Sequence, residues 1–322
     1  MEHPSPTIAD VRAASDQIAG LVVRTPLVES PDLDARVGRR VLLKLETLQR
    51  TGSFKYRGAM TFLTRLGAEG RANGVAAYSS GNHAQAVAAA AAHYGVSATI
   101  VMPSDAPATK KAGTRARGAE IVEYDRASDD RVGITAAIAA DTGAAVIPPY
   151  EHPWTISGQG SCGLEIAEQC RALGVESPVV LVPTGGGGLT AGIALALSED
   201  LPDAAVHTVE PAGFDDYARS LAAGERLSVE KPTGSVCDAL LAPTPGAIGF
   251  EINRRLVKGG ETVTDDEVLA AVRYALETLK LVVEPGGAVG LALALAGRAP
   301  GSGPLVVVLS GGNVDLETLL GH

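Results

Sequence analysis

Cysteine is scarce in this sequence. The three present, Cys162, Cys170 and Cys237, form no CxxC pair and make an odd total. That spacing excludes a disulfide framework and a structural zinc site, and it fits a reducing, cytoplasmic setting. Basic charge is also short: 27 Lys and Arg stand against 37 Asp and Glu, a formal net charge of −10. Binding nucleic acid needs a basic stripe to neutralise phosphates, and none is present, so no nucleic-acid partner is expected. The one basic cluster, Lys110 to Arg117, reads as a solvated helix face. Long apolar runs are missing too. The Ala-rich stretches are broken by polar residues before they reach bilayer-spanning length, and no membrane partner is expected. The opening MEHPSPTIADV lacks the basic start and apolar run of a signal peptide. No low-complexity linker and no internal repeat divides the 322 residues. A second domain must therefore arise from the chain crossing over and back.

What is present is a recurring unit: a short apolar run, a glycine-containing turn, then an Ala-rich helical stretch. Strands are expected at Val41–Leu45, Val75–Tyr78, Ala98–Met102, Glu120–Glu123, Val179–Val182, Ala205–Val209 and Leu305–Leu309. These runs are continuous rather than alternating, the pattern of parallel strands covered on both faces. Asn82–Tyr94 and Ala106–Arg117 look helical. Repeated strand-then-helix units imply an α/β fold with open, mostly parallel sheets. Ligands of such sheets lie at the carboxyl ends of strands. The polar turns after Val75–Tyr78, Val179–Val182 and Leu305–Leu309 all fall there, so one shared cleft is the simplest arrangement.

Four stretches carry chemistry. Thr184-Gly185-Gly186-Gly187-Gly188-Leu189 sits between a strand and a helix. Successive glycines bring backbone N–H groups close to a phosphate, and the helix start adds a favourable dipole. No Lys-Ser/Thr pair follows, so it is not a P-loop, and it is not a GxGxxG fingerprint. Ser53-Phe54-Lys55-Tyr56-Arg57 contains one of only seven lysines. A nucleophilic lysine needs desolvation or a nearby cation. Local context by itself reads Lys55 as a surface residue. Ser79-Ser80-Gly81-Asn82-His83 opens a helix with groups able to hold a carboxylate, and His83 there suits an orienting role better than a general base. Ser310-Gly311-Gly312-Asn313 presents small polar groups after the last apolar strand.

In order and spacing, SFKYRGA, SSGNHAQA, GQGS at Gly158–Ser161, GGGGL and SGGNVD resemble the fold-type II pyridoxal-phosphate enzymes. The similarity is to the serine/threonine dehydratase and serine racemase branch, and EPGGAVG at Glu284–Gly290 looks like a further family segment. It runs from about Thr25 to Asp315. The resemblance implies the tryptophan synthase β-like fold: two open, mostly parallel-sheet α/β domains, with pyridoxal 5′-phosphate in the cleft between them. Residues 1–73 and 150–322 would form the large cofactor-binding domain, and 74–149 a small mobile one. Lys55 would carry the cofactor as a Schiff base, beside Phe54. Asn82 would bond its phenolic oxygen, Gly185, Gly186, Gly187, Gly188 and Leu189 its phosphate, and Ser310 its ring nitrogen. A neutral hydroxyl at that nitrogen favours elimination over transamination.

The implied reaction is dehydration and deamination of a small β-hydroxy amino acid, such as L-threonine or L-serine, to a 2-oxo acid and ammonia. Lys55 would remove the α-proton, while Ser79, Ser80, Asn82 and His83 hold the substrate carboxylate. Ser80 matches the opposite-face acid/base residue of the racemases, so amino-acid racemisation with side elimination is an alternative. A dehydratase for hydroxyaspartate or phenylserine is another. Glu210-Pro211-Ala212-Gly213-Phe214-Asp215-Asp216 resembles the family's divalent-cation loop. Glu210, Phe214 and Asp216 would bind Mg²⁺ or Ca²⁺ through hard oxygens.

Departures from the family pattern lie on the substrate side. Cys237-Asp238-Ala239 replaces Ala-Asp-Gly, an extra methyl that narrows the pocket. Tyr150 stands where the racemases carry Asn, and Gly286 stands for a small hydroxyl residue. Arg131 matches an arginine near the racemase active site but lies in a charged, solvated-looking stretch. A homodimer is implied by resemblance. With His322 ending the chain soon after SGGNVD, no regulatory domain is expected.

Overall fold

A computed structural model of the chain describes residues 4–106, 108–229 and 234–315. Residues 1–3, 107, 230–233 and 316–322 fall outside the described residues, among them Pro107 in the expected helix 106–117, Lys231 and the terminal His322.

Among the described residues, ten strands form two sheets. In chain order they are β1 (Leu27–Glu29), β2 (Val41–Leu45), β3 (Val75–Tyr78), β4 (Ala98–Pro103), β5 (Glu120–Tyr124), β6 (Ala145–Val146), β7 (Val179–Pro183), β8 (Ala205–Pro211), β9 (Gly259–Val263) and β10 (Leu305–Leu309). The larger sheet has the order β1-β2-β10-β7-β8-β9, and the smaller β5-β4-β3-β6. Every pairing is parallel except β1 with β2. All four strands of the smaller sheet lie between residues 75 and 146, inside the segment expected to form a second domain.

β2, β7 and β10 are buried throughout because helices cover both faces of the larger sheet. Such strands read as continuous apolar runs, so all seven expected strands are present. The three additional strands carry weak signals. β1 has three residues, β6 has two, and β9 (GGETV) opens on two glycines. β5 lies at an edge and is only partly buried, unlike the covered strand its apolar content suggested.

One lysine of β2 is wholly buried. Lys44 Nζ donates to Glu165 at 2.6 Å, to Gln169 at 3.0 Å and to the Thr25 carbonyl at 2.8 Å. The same Glu165 accepts from Arg57, which also forms a two-bond pair with Glu46. Arg57 and Glu46 are completely excluded from solvent. Burial opposes both charges, and their mutual attraction outweighs it: the Glu46 carboxyl lies below its ordinary range and the Arg57 guanidinium above. Two cations and two anions thus tie β2, the helix Lys55–Gly70 and the helix Pro153–Ala172 together. Close packing of those two helices also needs Gly158, where a Cβ would collide with the Thr61 hydroxyl and lie 2.7 Å from the Arg57 carbonyl oxygen.

Arg57→Met leaves two carboxylates facing one cation in a dry interior. Loss of one partner of a buried pair typically costs about 3–5 kcal/mol. Urea unfolding should show a loss of that order, and a second change, Glu46→Gln, should recover part of it.

Candidate active site

Strand ends build one pocket. Tyr78 ends β3, Pro183 ends β7, and Ser310 follows β10; all three line it. β10 lies between β2 and β7, so the carboxyl ends of these parallel strands, where open α/β sheets gather ligands, are neighbours. The helix starts at Lys55, Asn82 and Gly188 point their first turns into the same space.

The Lys55 segment is fixed by the last strand. Phe54 N donates to the Ser310 carbonyl at 3.1 Å, Gly312 N to the Gly52 carbonyl at 2.9 Å, and Asn313 Nδ2 to the Thr51 carbonyl at 2.8 Å. Residues 51–54 and 310–313, far apart in sequence, form one structural unit. Lys55 Nζ donates to the Pro149 carbonyl at 2.9 Å and lies 5.0 Å from the centre of the Phe54 ring. Burial lowers its ammonium to about 8, against an opposing pull from Glu284. Burial raises the Glu284 carboxyl to about 7, despite Lys110 and the Asn82 amide. Asn82 Nδ2 donates to Glu284 Oε1, and Asn82 Oδ1 accepts from Asn313 at 2.7 Å.

The polar turn after β3 is ordered by its own atoms. Gly81 N donates to Ser79 Oγ at 3.1 Å, and Ser80 Oγ donates to Asp238 at 3.3 Å. His83 is 2 % exposed, and its Nε2 contacts the Ile147 carbonyl at 2.8 Å. That carbonyl can only accept, so Nε2 carries the proton and Nδ1 is the bare nitrogen. Burial, with Lys55 adding to it, lowers the imidazolium to about 3. His83 is therefore neutral at ordinary pH, in keeping with an orienting role rather than a general base.

The glycine run is built for close approach. Gly185, Gly186, Gly187 and Gly188 all line the pocket beside Leu189. Gly187 has φ +87°, which favours glycine, and its carbonyl accepts from Asn253 Nδ2 at 3.1 Å. A Cβ on Gly187 would strike the Tyr217 hydroxyl, and one on Gly186 would meet the Tyr150 ring. Gln159, from the GQGS stretch, lines the same cavity, and its Oε1 is buried without a hydrogen-bond partner.

One expectation needs correction. Lys110 is not part of a solvated face. It lines the pocket, its side chain is 14 % exposed, and its ammonium lies 3.0 Å from Asp238. Its neighbour Lys111 is equally covered and pairs with Glu123. Lys110 and Lys111 turn toward the counter-charges of Asp238 and Glu123, which no local pattern discloses, whereas Arg115 of the same cluster stays exposed. Arg131 lies at the pocket rim, exposed as its charged stretch suggested, with its guanidinium carbon 5.4 Å from the Tyr78 ring centre. Among the described residues it forms no ion pair.

The departures near the pocket compensate one another. Ala239 lines the cavity, and a Cβ on Gly286 would come within 3.1 Å of the Ala239 methyl. The methyl gained at position 239 fills the space that Gly286 leaves. Glu284, Gln159 and Tyr78 also face the pocket; in the sequence the first two lie inside the EPGGAVG and GQGS segments and the third ends an expected strand, with nothing local to single them out.

Outside the pocket, Glu210 and Asp216 are each 1 % exposed and Phe214 is 5 % exposed. Glu210 accepts from the N–H groups of Tyr217 (2.9 Å) and Ala218 (2.8 Å), while Asp216 Oδ2 is buried with no partner. Burial raises Asp216 to about 7; burial and the neighbouring Asp216 raise Glu210 well above its usual range. Among the described residues, no group of three or more His, Cys, Asp or Glu side chains is placed to hold a metal. No described helix is long and apolar enough to cross a membrane.

The matching family model is that of the pyridoxal-phosphate dependent enzymes, over residues 18–311. The chain belongs to that family, in its fold-type II branch of two-sheet α/β enzymes that includes the ammonia-lyases. It is 41% identical over 313 residues to the L-threo-3-hydroxyaspartate ammonia-lyase of Saccharomyces cerevisiae, covering 97% of this chain and 94% of that one. Among solved structures, the threonine deaminase of T.th. superposes with a TM-score of 0.91 at 44% identity, covering 96% of this chain and 99% of that one. Maize serine racemase gives a TM-score of 0.92 at 37% identity, covering 99% and 97%.

A lysine lowered to about 8 is neutral, and so nucleophilic, above that pH, whereas a surface lysine stays protonated to about 10.4. In protein freed of cofactor, labelling of Lys55 by an amine-directed reagent, followed by mass spectrometry, should rise with a midpoint near 8. Surface lysines should rise about two units later.

Proposed function

We propose that the protein eliminates water from a small β-hydroxy amino acid, of the L-threonine or L-serine kind, yielding a 2-oxo acid and ammonia. The observation that carries this reading is the placement of Lys55. A partly buried, easily neutralised amine stands in one pocket with a glycine-lined helix start and the neutral hydroxyl-bearing Ser310. These residues fit pyridoxal phosphate. The N–H groups of Gly185 to Leu189 would hold its phosphate, Asn82 its phenolic oxygen, and Ser310 its ring nitrogen, with Phe54 beside Lys55. The unpartnered Gln159 Oε1 fits a cavity shaped for a polar guest. When bound, the cofactor supplies a sink for the electron pair left at the substrate's α-carbon.

The chain's own residues do the rest. Ser79, Ser80, Asn82 and the His83 backbone gather the substrate carboxylate at the start of the helix Asn82–Tyr94, where helix N–H groups favour an anion. Neutral His83 keeps the turn in place through Ile147 without adding a competing base. The Lys55 amine would take the α-proton. Residues 74–149 would move as a small domain against 1–73 and 150–322, closing the turn onto the substrate and excluding water.

A more specific substrate is favoured by Arg131. A guanidinium on the pocket wall, with no carboxylate partner among the described residues, suits a substrate whose β-carbon carries a second carboxylate. The hydroxyaspartate ammonia-lyase named above is a relative with such a substrate in its name. The three free cysteines, all buried, suit a cytoplasmic enzyme, and a homodimer accompanies the reading by resemblance. Glu210, Asp216 and the Phe214 carbonyl would hold Mg²⁺ or Ca²⁺. Two adjacent buried carboxylates, one with a bare oxygen, are costly without a cation.

The test is 2-oxo acid release from L- and D-serine, threonine, hydroxyaspartate and phenylserine. Turnover should be confined to β-hydroxy acids and lost in Lys55→Ala. Arg131→Met should raise KM for hydroxyaspartate by about tenfold or more relative to serine. Equal effects on both substrates would remove Arg131 from the reading. Exhaustive chelation should lower activity and thermal stability together, with recovery on adding Mg²⁺ or Ca²⁺; indifference to chelation would remove the cation.

A further inference from the structure

Ser80 stands at the pocket wall after β3, and its hydroxyl donates to Asp238 Oδ2 at 3.3 Å. The same oxygen accepts from Lys110 Nζ at 3.0 Å. On the other side of the carboxylate, Arg126 Nη2 lies 3.8 Å from Oδ1. Ser80, Lys110 and Arg126 all come from the segment of the smaller sheet, and Asp238 from the segment between β8 and β9. A hydroxyl can exchange a proton with carbon only if another group handles its own proton. Asp238 is the acceptor in reach. Burial raises the Asp238 carboxyl, but Lys110, then Arg126 and Ser80, outweigh burial and hold it below its ordinary value. The more distant Glu284 is the other titratable group that senses it. A carboxylate clamped on the very oxygen that Ser80 uses is a weak proton acceptor.

We propose that Asp238 is the proton partner of Ser80, and that Lys110, by keeping Asp238 ionised, restrains proton exchange at the α-carbon through Ser80. The restraint biases the site toward elimination and away from racemisation. The inference rests on the functional reading above and adds two positioning residues to it. For a substrate whose α-hydrogen faces Ser80, the Cα–H bond breaks and its electron pair stays on carbon. Oγ gains that proton while its own hydroxyl proton passes to Asp238 Oδ2. Inversion toward that configuration runs the same transfers backwards, and no other reactant is needed. Elimination initiated by Lys55 uses neither transfer. Lys110 therefore changes the ratio of the two outcomes, whereas loosened packing slows both together.

The experiment follows the holoenzyme acting on L- and D-serine in deuterated water. It measures α-deuterium uptake with inversion by chiral analysis, and 2-oxo acid in parallel. Lys110→Gln should raise the inversion-to-elimination ratio about three- to tenfold, Lys110→Arg should stay near the wild-type ratio, and Asp238→Asn should lower it about tenfold. Carboxyl ¹³C NMR of the aspartate-labelled holoenzyme gives a readout apart from turnover. The resonance missing in Asp238→Asn should titrate at higher pH in Lys110→Gln than in wild type. If Lys110→Gln does not fold, Asp238→Asn against wild type carries the test. An unchanged ratio in Asp238→Asn or in folded Lys110→Gln, in an enzyme that still releases 2-oxo acid, overturns this inference alone. Wild-type holoenzyme that releases none from any β-hydroxy amino acid overturns the functional reading, and this inference with it.

Discussion

Arg57, two residues after Lys55, is wholly buried and shared between Glu46 and Glu165, with Lys44 balancing the second acid. Everything at the pocket floor depends on that network. A buried guanidinium pays a heavy desolvation cost unless every donor is matched, so the helix Lys55–Gly70 has one acceptable position against β2 and the helix Pro153–Ala172. The backbone bridges from residues 51–54 to residues 310–313 then set where the helix begins. Between them, these constraints aim Lys55 at the carboxyl ends of β7 and β10 and leave its amine little freedom.

The electrostatics of the pocket follow from that burial. Desolvation brings Lys55 and Glu284 toward each other, to about 8 and about 7, so both can change protonation near neutral pH. The same desolvation keeps His83 neutral. Asp238 goes the other way because it has cations within reach on both oxygens. One cavity thus holds a pair of groups ready to move protons and one carboxylate held in its charged form. Environments that separate titratable groups in this manner are what divides their chemical roles.

Much of this was legible in the chain. The strands covered on both faces announced themselves as unbroken apolar runs, and β2, β3 and β10 fall on the expected residues. Glycines in series marked a loop that lines the pocket, and the positive φ of Gly187 explains why glycine is favoured there. β1, β6 and β9 were not legible, being short or glycine-led and held by neighbouring strands rather than by their own pattern. Lys110 was misread for a related reason. Its sequence neighbours are basic and polar, as on any solvated helix face, and its true partner is 128 residues away.

Local chemistry is written in short sequence windows: strand periodicity, the glycine run, the polar turns and the lysine flanked by an aromatic residue. These determined the α/β class, the parallel sheets and which residues could meet a phosphate or a carboxylate. Burial and long-range partnership are not written there. Whether Lys55 is a surface amine or a neutralisable nucleophile, whether Lys110 is solvated or clamped to Asp238, and whether Gly286 leaves a gap or fits the Ala239 methyl were decided only by folding. The physical reason is that desolvation and charge pairing depend on what the fold brings from elsewhere in the chain, and no local pattern encodes that distance.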